Sequence, residues 1–326
     1  MSRREFFTLL GGAVATWPLS ASAQQTTNVA RIGFLGPASA SSWAGRLEAF
    51  RSGLRDLGYT EGQNIVIVSR WADENYNRLP ELAAELVDLK VDVIVTYGTP
   101  GTLAAMHATK TIPIVMAYSG DALSAGLVTS LARPSGNVTG STYFLSELMA
   151  KRLERLKGAM PHITKAAVLV NPNNALFGTT LKALENAAKT LNVDLHHFKV
   201  SGPSEFEAAF LGLAKARVEA VLIQEDAVFV SNMSLVVDLA SKHRIPLAGF
   251  NELAHAGGLI GYGVDFLAMC RRAAVFVGTI LKGEQPANIP VEQATKFAFV
   301  INLKTAKTLS LEIPQGLVLA ADEVIE

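Results

Sequence analysis

From Val29 onward, short apolar runs rich in Val and Ile alternate with longer segments whose apolar residues recur at helical spacing. That alternation is the signature of βαβ units and a parallel sheet. A strand at Ala30–Leu35 leads to a helix over Ala44–Leu57, with Leu47, Phe50, Leu54 and Leu57 on one face and Gly58 as its stop. A strand at Ile65–Ser69 follows, then a helix over Tyr76–Leu89 with Leu79, Leu82, Ala83, Leu86 and Val87 inward. A strand at Val91–Val95, a helix at Gly101–Thr109 and a strand at Ile114–Ala117 complete a first series, and a helix at Ser146–Gly158 bridges to a second.

The second series starts at Ala166–Val170 and repeats the design of the first. The stretch from Val91 to Pro100 has its counterpart from Val218 to Ala227, each a buried strand followed by a polar loop and a helix. Ile112-Pro113 and Ile245-Pro246 fall at the same point of the two series, where proline opens the next strand, which favours internal duplication over coincidence. A long amphipathic helix over Asp265–Gly283, a strand at Lys296–Asn302 and a helix at Leu303–Leu309 close the chain. The expected fold is α/β, with two doubly wound parallel-sheet lobes.

Ahead of this pattern, Arg3-Arg4 and Phe6-Phe7 precede an apolar run from Thr8 to Leu19 that ends in Ala21-Ser22-Ala23. This reads as a signal peptide over residues 1–23, cleaved after Ala23, and the protein as periplasmic. The paired arginines fit a twin-arginine signal, with a general secretory signal as the alternative. The run is too short for a spanning helix and is broken by Pro18. Without it the chain has a net charge of about −1, which argues against nucleic acid or anionic membrane as a partner. Cys270 is the single cysteine, so no disulfide can form within the chain, and its apolar surroundings suggest a buried thiol.

Open parallel sheets bind ligands beyond the carboxyl ends of their strands. Those ends nominate Trp43, Tyr97, Thr99, Ser119, Asp121 and Tyr143 from the first series, and Asn171, Gln224, Asp226, Asn251 and Tyr262 from the second, as ligand-binding residues. The strand-end loops contain no Lys or Arg, whereas Asp121, Glu225 with Asp226, and Glu252 supply carboxylates. A polyanionic ligand is therefore disfavoured, and an amino acid or aromatic compound suits the rings and carboxylates. The alternatives are structural: tyrosines that cap the sheet, and Asp121, Asp226 and Thr99 as helix N-caps. No catalytic residue is assigned, because there is no Gly-x-Ser-x-Gly elbow and no Walker motif, and Gly261-Tyr-Gly263 lacks the third glycine of a dinucleotide loop. No cofactor is expected. The six histidines show no metal spacing, so no metal site is expected.

Gly58-Tyr-Thr-Glu-Gly62, Arg78-Leu-Pro-Glu-Leu82, the run Gly126–Pro134, Gly136-Asn-Val-Thr-Gly140 and Ile301–Ala306 resemble the substrate-binding proteins of ABC transporters with the type I periplasmic-binding-protein fold, the group that includes tryptophan-binding members. The resemblance implies a bilobed clamp with a multi-stranded hinge, crossed near Tyr143, Gly263 and Ala294. It assigns residues 29–142 plus 265–290 to one lobe and 143–264 plus 291–326 to the other. It also implies a monomer that captures a small molecule by hinge closure and hands it to an ABC permease. Two readings without a positive sequence feature stand beside it: an exported sensor for a signalling partner, and an exported hydrolase using Asp121 or Glu252.

Overall fold

A computed structural model describes residues 29–134 and 136–326. The expected signal peptide and its expected cleavage after Ala23 lie outside the described residues. Five strands open the chain: β1 (Ala30–Gly36), β2 (Ile65–Trp71), β3 (Val93–Thr96), β4 (Ile114–Ser119) and β5 (Val138–Thr142). Five more follow a long helix: β6 (Lys165–Val170), β7 (Asp194–Lys199), β8 (Ala220–Ile223), β9 (Leu247–Gly249) and β10 (Ile260–Gly263). The last three are β11 (Glu292–Gln293), β12 (Ala298–Asn302) and β13 (Glu323–Ile325).

Among the described residues these strands form two sheets, ordered β11-β5-β4-β3-β1-β2 and β13-β12-β10-β9-β8-β6-β7. The first is parallel throughout. Its centre is covered on both faces, so all four residues of β3 are buried and the strand reads as a continuous apolar run. The helices Leu79–Asp88 and Gly98–Ala108 pack together against the first sheet, and Ala44–Asp56 and Phe266–Leu281 form a second packed pair with it. Phe266–Leu281 thus lies with the first sheet although it follows β10 of the second. Asp265 starts it, its Oδ1 accepting from the Ala268 N–H at 2.9 Å.

The chain passes between the two sheets three times, over residues 143–144, 264–265 and 294–297. One lobe boundary departs from the expected assignment of residues 291–326 to the second lobe: ahead of the third crossing, Glu292–Gln293 pair in parallel with Ser141 and Thr142 of β5 and so sit in the first sheet. The β5 edge offers unpaired backbone groups, and a two-residue strand is too short to show any periodicity. After that crossing the chain enters the second sheet at its carboxyl edge, with Ala298 opposite Gly263, so β12 is forced antiparallel to β10.

Glycine permits one close approach that shapes the first lobe. A Cβ at Gly36, the last residue of β1, would run into the Trp71 ring. With hydrogen there, Trp71 settles 5.3 Å from Phe34 and 6.3 Å from Trp43, ring centre to ring centre.

Candidate functional site

The carboxyl ends of the two sheets face each other, and a cavity of about 50 Å³ lies between them. Its first-lobe wall is a stack of rings. Trp43, just ahead of the helix Ala44–Asp56, is fully buried and lies parallel to Tyr97 with ring centres 4.2 Å apart. Tyr97 precedes the helix Gly98–Ala108 and is pinned at its other end, where its hydroxyl accepts from the Ala38 N–H at 2.9 Å. The Trp43 indole N–H donates to the Tyr118 hydroxyl at 3.3 Å, and Tyr118 lies 4.6 Å from the Phe266 ring, which meets Tyr143 edge-on at 5.5 Å. Burial pushes the Tyr97, Tyr118 and Tyr143 hydroxyls above the ordinary tyrosine value, so all three stay protonated in neutral solution.

Charge enters this wall from Arg46, in the first turn of the helix Ala44–Asp56. Its guanidinium lies 4.8 Å from the centre of the Phe266 ring and donates to Glu252 at 2.8 Å across the cleft. Burial by itself would favour the neutral form, but the charge and hydrogen bond of the Glu252 carboxylate help to outweigh it and hold Arg46 above its ordinary value. The strand-end loops lack Lys and Arg, as the sequence shows, but the cleft has a basic residue from a helix. Arg46 lines the cavity, and Arg152, from the helix Leu145–Ala159, forms a bidentate pair with Glu225. Both arginines come from helices, where a survey of strand-end loops does not look, and Arg46 alone of the two lines the cavity.

The second-lobe wall is a hydrogen-bonded set of side chains at the end of β8. Both Glu225 oxygens accept from Arg152, whose Nε donates to the Tyr262 carbonyl at 2.7 Å. Asp226 accepts from the Asn171 and Asn174 amides, each at 2.9 Å, and caps the short helix Ala227–Ser231 through the Val228 N–H at 3.1 Å. Burial raises the Asp226 carboxyl above its ordinary value, and these donors only partly offset it. Two more links cross the cleft: the Ser42 and Ser231 hydroxyls are 2.9 Å apart, and the Tyr76 hydroxyl accepts from the Ala227 N–H at 3.3 Å beside Asp226.

Of the sequence-nominated residues, Trp43, Tyr97, Tyr143 and Asp226 line the cavity together. Others stand behind this lining. Thr99 and Ser119 share a buried hydroxyl–hydroxyl bond at 3.2 Å, Asn171 orients Asp226, and the Gln224 side-chain oxygen accepts from the Asn171 N–H at 3.3 Å. Asp121 is occupied by its own turn, accepting from the Leu123 and Ser124 N–H groups and the Ser124 hydroxyl. Asn251 donates to the Gly263 carbonyl, and the Tyr262 ring stacks on Phe297 at 6.2 Å, outside the cavity lining. Strand-end reasoning missed Arg46, Tyr76, Asn174 and Phe266. Only Asn174 had a local signal, its position three residues beyond Asn171 in the same polar loop.

Among the described residues, no group of three or more His, Cys, Asp and Glu is placed to hold a metal ion, and no helix is long and apolar enough to cross a membrane. Cys270 is buried, and burial pushes its thiol up to about 12.

Two doubly wound sheets, three crossings and a cleft between their carboxyl edges define a type I periplasmic-binding-protein fold. Residues 32–325 match the family of ABC transporter substrate binding proteins, and the chain belongs to that family. It is 30% identical over 266 residues to a tyrosine-binding protein of Clostridioides difficile, covering 81% of this chain and 76% of that one. Among solved structures it is similar to an ABC domain from Streptococcus pneumoniae in complex with L-Trp, with a TM-score of 0.83 and 24% identity. The ligand-free, open structure of a substrate-binding protein from Clostridium difficile gives 0.64 at 24% identity. Each alignment covers 91% of this chain and 99% of the other.

Proposed function

We propose that this chain is the exported, non-catalytic receptor of an ABC importer, which captures an amino acid or a comparable small acid in the inter-lobe cleft and delivers it to a permease. The observation that carries the reading is the construction of the cavity. Trp43, Tyr97 and Tyr143 come from the first-lobe side, Glu225 and Asp226 from the second, and neither wall encloses a solute without the other. Ligand contacts made to both walls exist only when the lobes are together, so binding draws the hinge equilibrium toward the closed form. The relatives support this, since one is named for binding tyrosine and another was solved with L-Trp. Direct contacts between the lobes, Ser42 with Ser231, Tyr76 with the Ala227 N–H and Arg46 with Glu252, support a closed arrangement of the lobes here.

On this reading Arg46 meets a ligand carboxylate, while Glu225 and Asp226 face an ammonium group. The rings then exclude water from the remainder. The protein acts as a periplasmic monomer, and the leader over residues 1–23 is removed on export. The test is a thermal-shift screen of the purified protein against amino acids and small aromatic acids. The expected result is a rise in melting temperature that follows mass action, about 2.7 kcal/mol of stabilisation at a hundredfold excess over Kd. No rise with any compound of either class contradicts the reading.

A further inference from the structure

The cavity is small for the ligands of the relatives, and its walls have little freedom to enlarge it. A closed apolar cavity of about 150 Å³ is what admits a benzene ring, and a water-sized position needs about 10–15 Å³ by the same measure. The 50 Å³ here is a third of the former and about four of the latter. Tyr97 fills the space beside Trp43, held at both ends by the 4.2 Å stack on Trp43 and by the Ala38 N–H. On the opposite wall, Asp226 is fixed by the Asn171 and Asn174 amides and by the Val228 N–H.

The lobes are also joined directly. Ser42 meets Ser231, Tyr76 meets the Ala227 N–H, and Arg46 meets Glu252, at 2.9, 3.3 and 2.8 Å. These links fix the separation of the walls. A ligand too large for the space between them holds the links open and forfeits them.

Resting on the amino-acid reading above, we infer that the site selects the compact members of that class, glycine, alanine and serine, and rejects phenylalanine, tyrosine and tryptophan. Tyr97 is the residue that sets the limit, and the inter-lobe links act as the gauge. A compact zwitterion leaves room for all three links to form. An aromatic side chain can be admitted only by displacing Tyr97 or by parting the lobes.

Isothermal titration of the purified protein with glycine, alanine, phenylalanine, tyrosine and tryptophan tests this. The expected result is binding of glycine or alanine at least about tenfold tighter than of any aromatic member. A Tyr97→Ala variant is expected to reverse that order. The wild-type series decides the matter even where the variant does not fold. Tryptophan or tyrosine binding the wild type as tightly as alanine overturns the size limit and leaves the receptor reading intact. Binding by none of the five overturns the selection of compact amino acids, while the receptor reading is decided separately by the wider thermal-shift screen.

Discussion

The two walls of the cleft are built on opposite principles. The first-lobe wall is aromatic: Trp43, Tyr97, Tyr118 and Phe266 pack ring against ring, and each is buried. The second-lobe wall is a set of buried carboxylates, each matched to named donors, Glu225 to Arg152 and Asp226 to Asn171, Asn174 and Val228. On the first wall stability follows the apolar area and volume enclosed. On the second it follows whether every polar group keeps its partner. The same kind of substitution therefore fails for different reasons on the two sides.

Truncating Trp43 to Ala is the largest test. It removes the centre of the ring stack and leaves a cavity, and we expect a loss of about 3–5 kcal/mol in chemical denaturation. A loss below about 1 kcal/mol would mean the stack is not a packed core. On the other wall, Arg152→Met leaves Glu225 buried without its counter-ion, at a similar expected cost of about 3–5 kcal/mol. The two walls separate in the double variant. Adding Glu225→Gln to Arg152→Met removes the orphaned charge and is expected to recover most of that loss, whereas a second truncation beside Trp43→Ala deepens it.

Smaller effects sharpen the contrast. Tyr76→Phe deletes one hydroxyl between the lobes and is expected to cost about 1 kcal/mol or less. Because the hydrogen bond it accepts from the Ala227 N–H forms only on closure, the loss should show in ligand affinity more than in the denaturation midpoint.

The smallest effect is a pH dependence. The Asp226 carboxyl is raised in the folded chain above its ordinary 3.8, so the unfolded chain releases this proton first as pH rises. Relative to Asp226→Asn, the wild type should lose stability from about pH 4 up through the raised folded value and level off above it. Parallel pH curves for the two proteins would show that burial of this carboxylate carries no cost.

The fold was legible in the sequence because its signals are local. The strand expected at Val91–Val95 and its counterpart in the stretch from Val218 show in the apolar pattern, and four residues named by the strand-end rule, Trp43, Tyr97, Tyr143 and Asp226, line the cavity. Illegible parts depend on reach and on distant pairing. Arg46 reaches the cleft from a helix, and Arg152 holds Glu225 from another helix behind the lining, so a survey of loops finds neither. Phe266 joins the ring wall from a helix that returns to the first lobe from β10 of the second. Asp121 and Tyr262 sat at strand ends as the rule requires, but one is consumed by its own turn and the other turns toward Phe297.

The central claim is that two lobes close over a ligand, and the pair Ser42 and Ser231 tests it most directly. Their hydroxyls are 2.9 Å apart across the cleft, and the native Cys270 is buried away from solvent. In a Ser42→Cys, Ser231→Cys variant, disulfide formation under mild oxidation should be faster and more complete with alanine present than without it. Equal rates and extents with and without ligand, for a variant shown by titration to bind alanine, would contradict closure on binding.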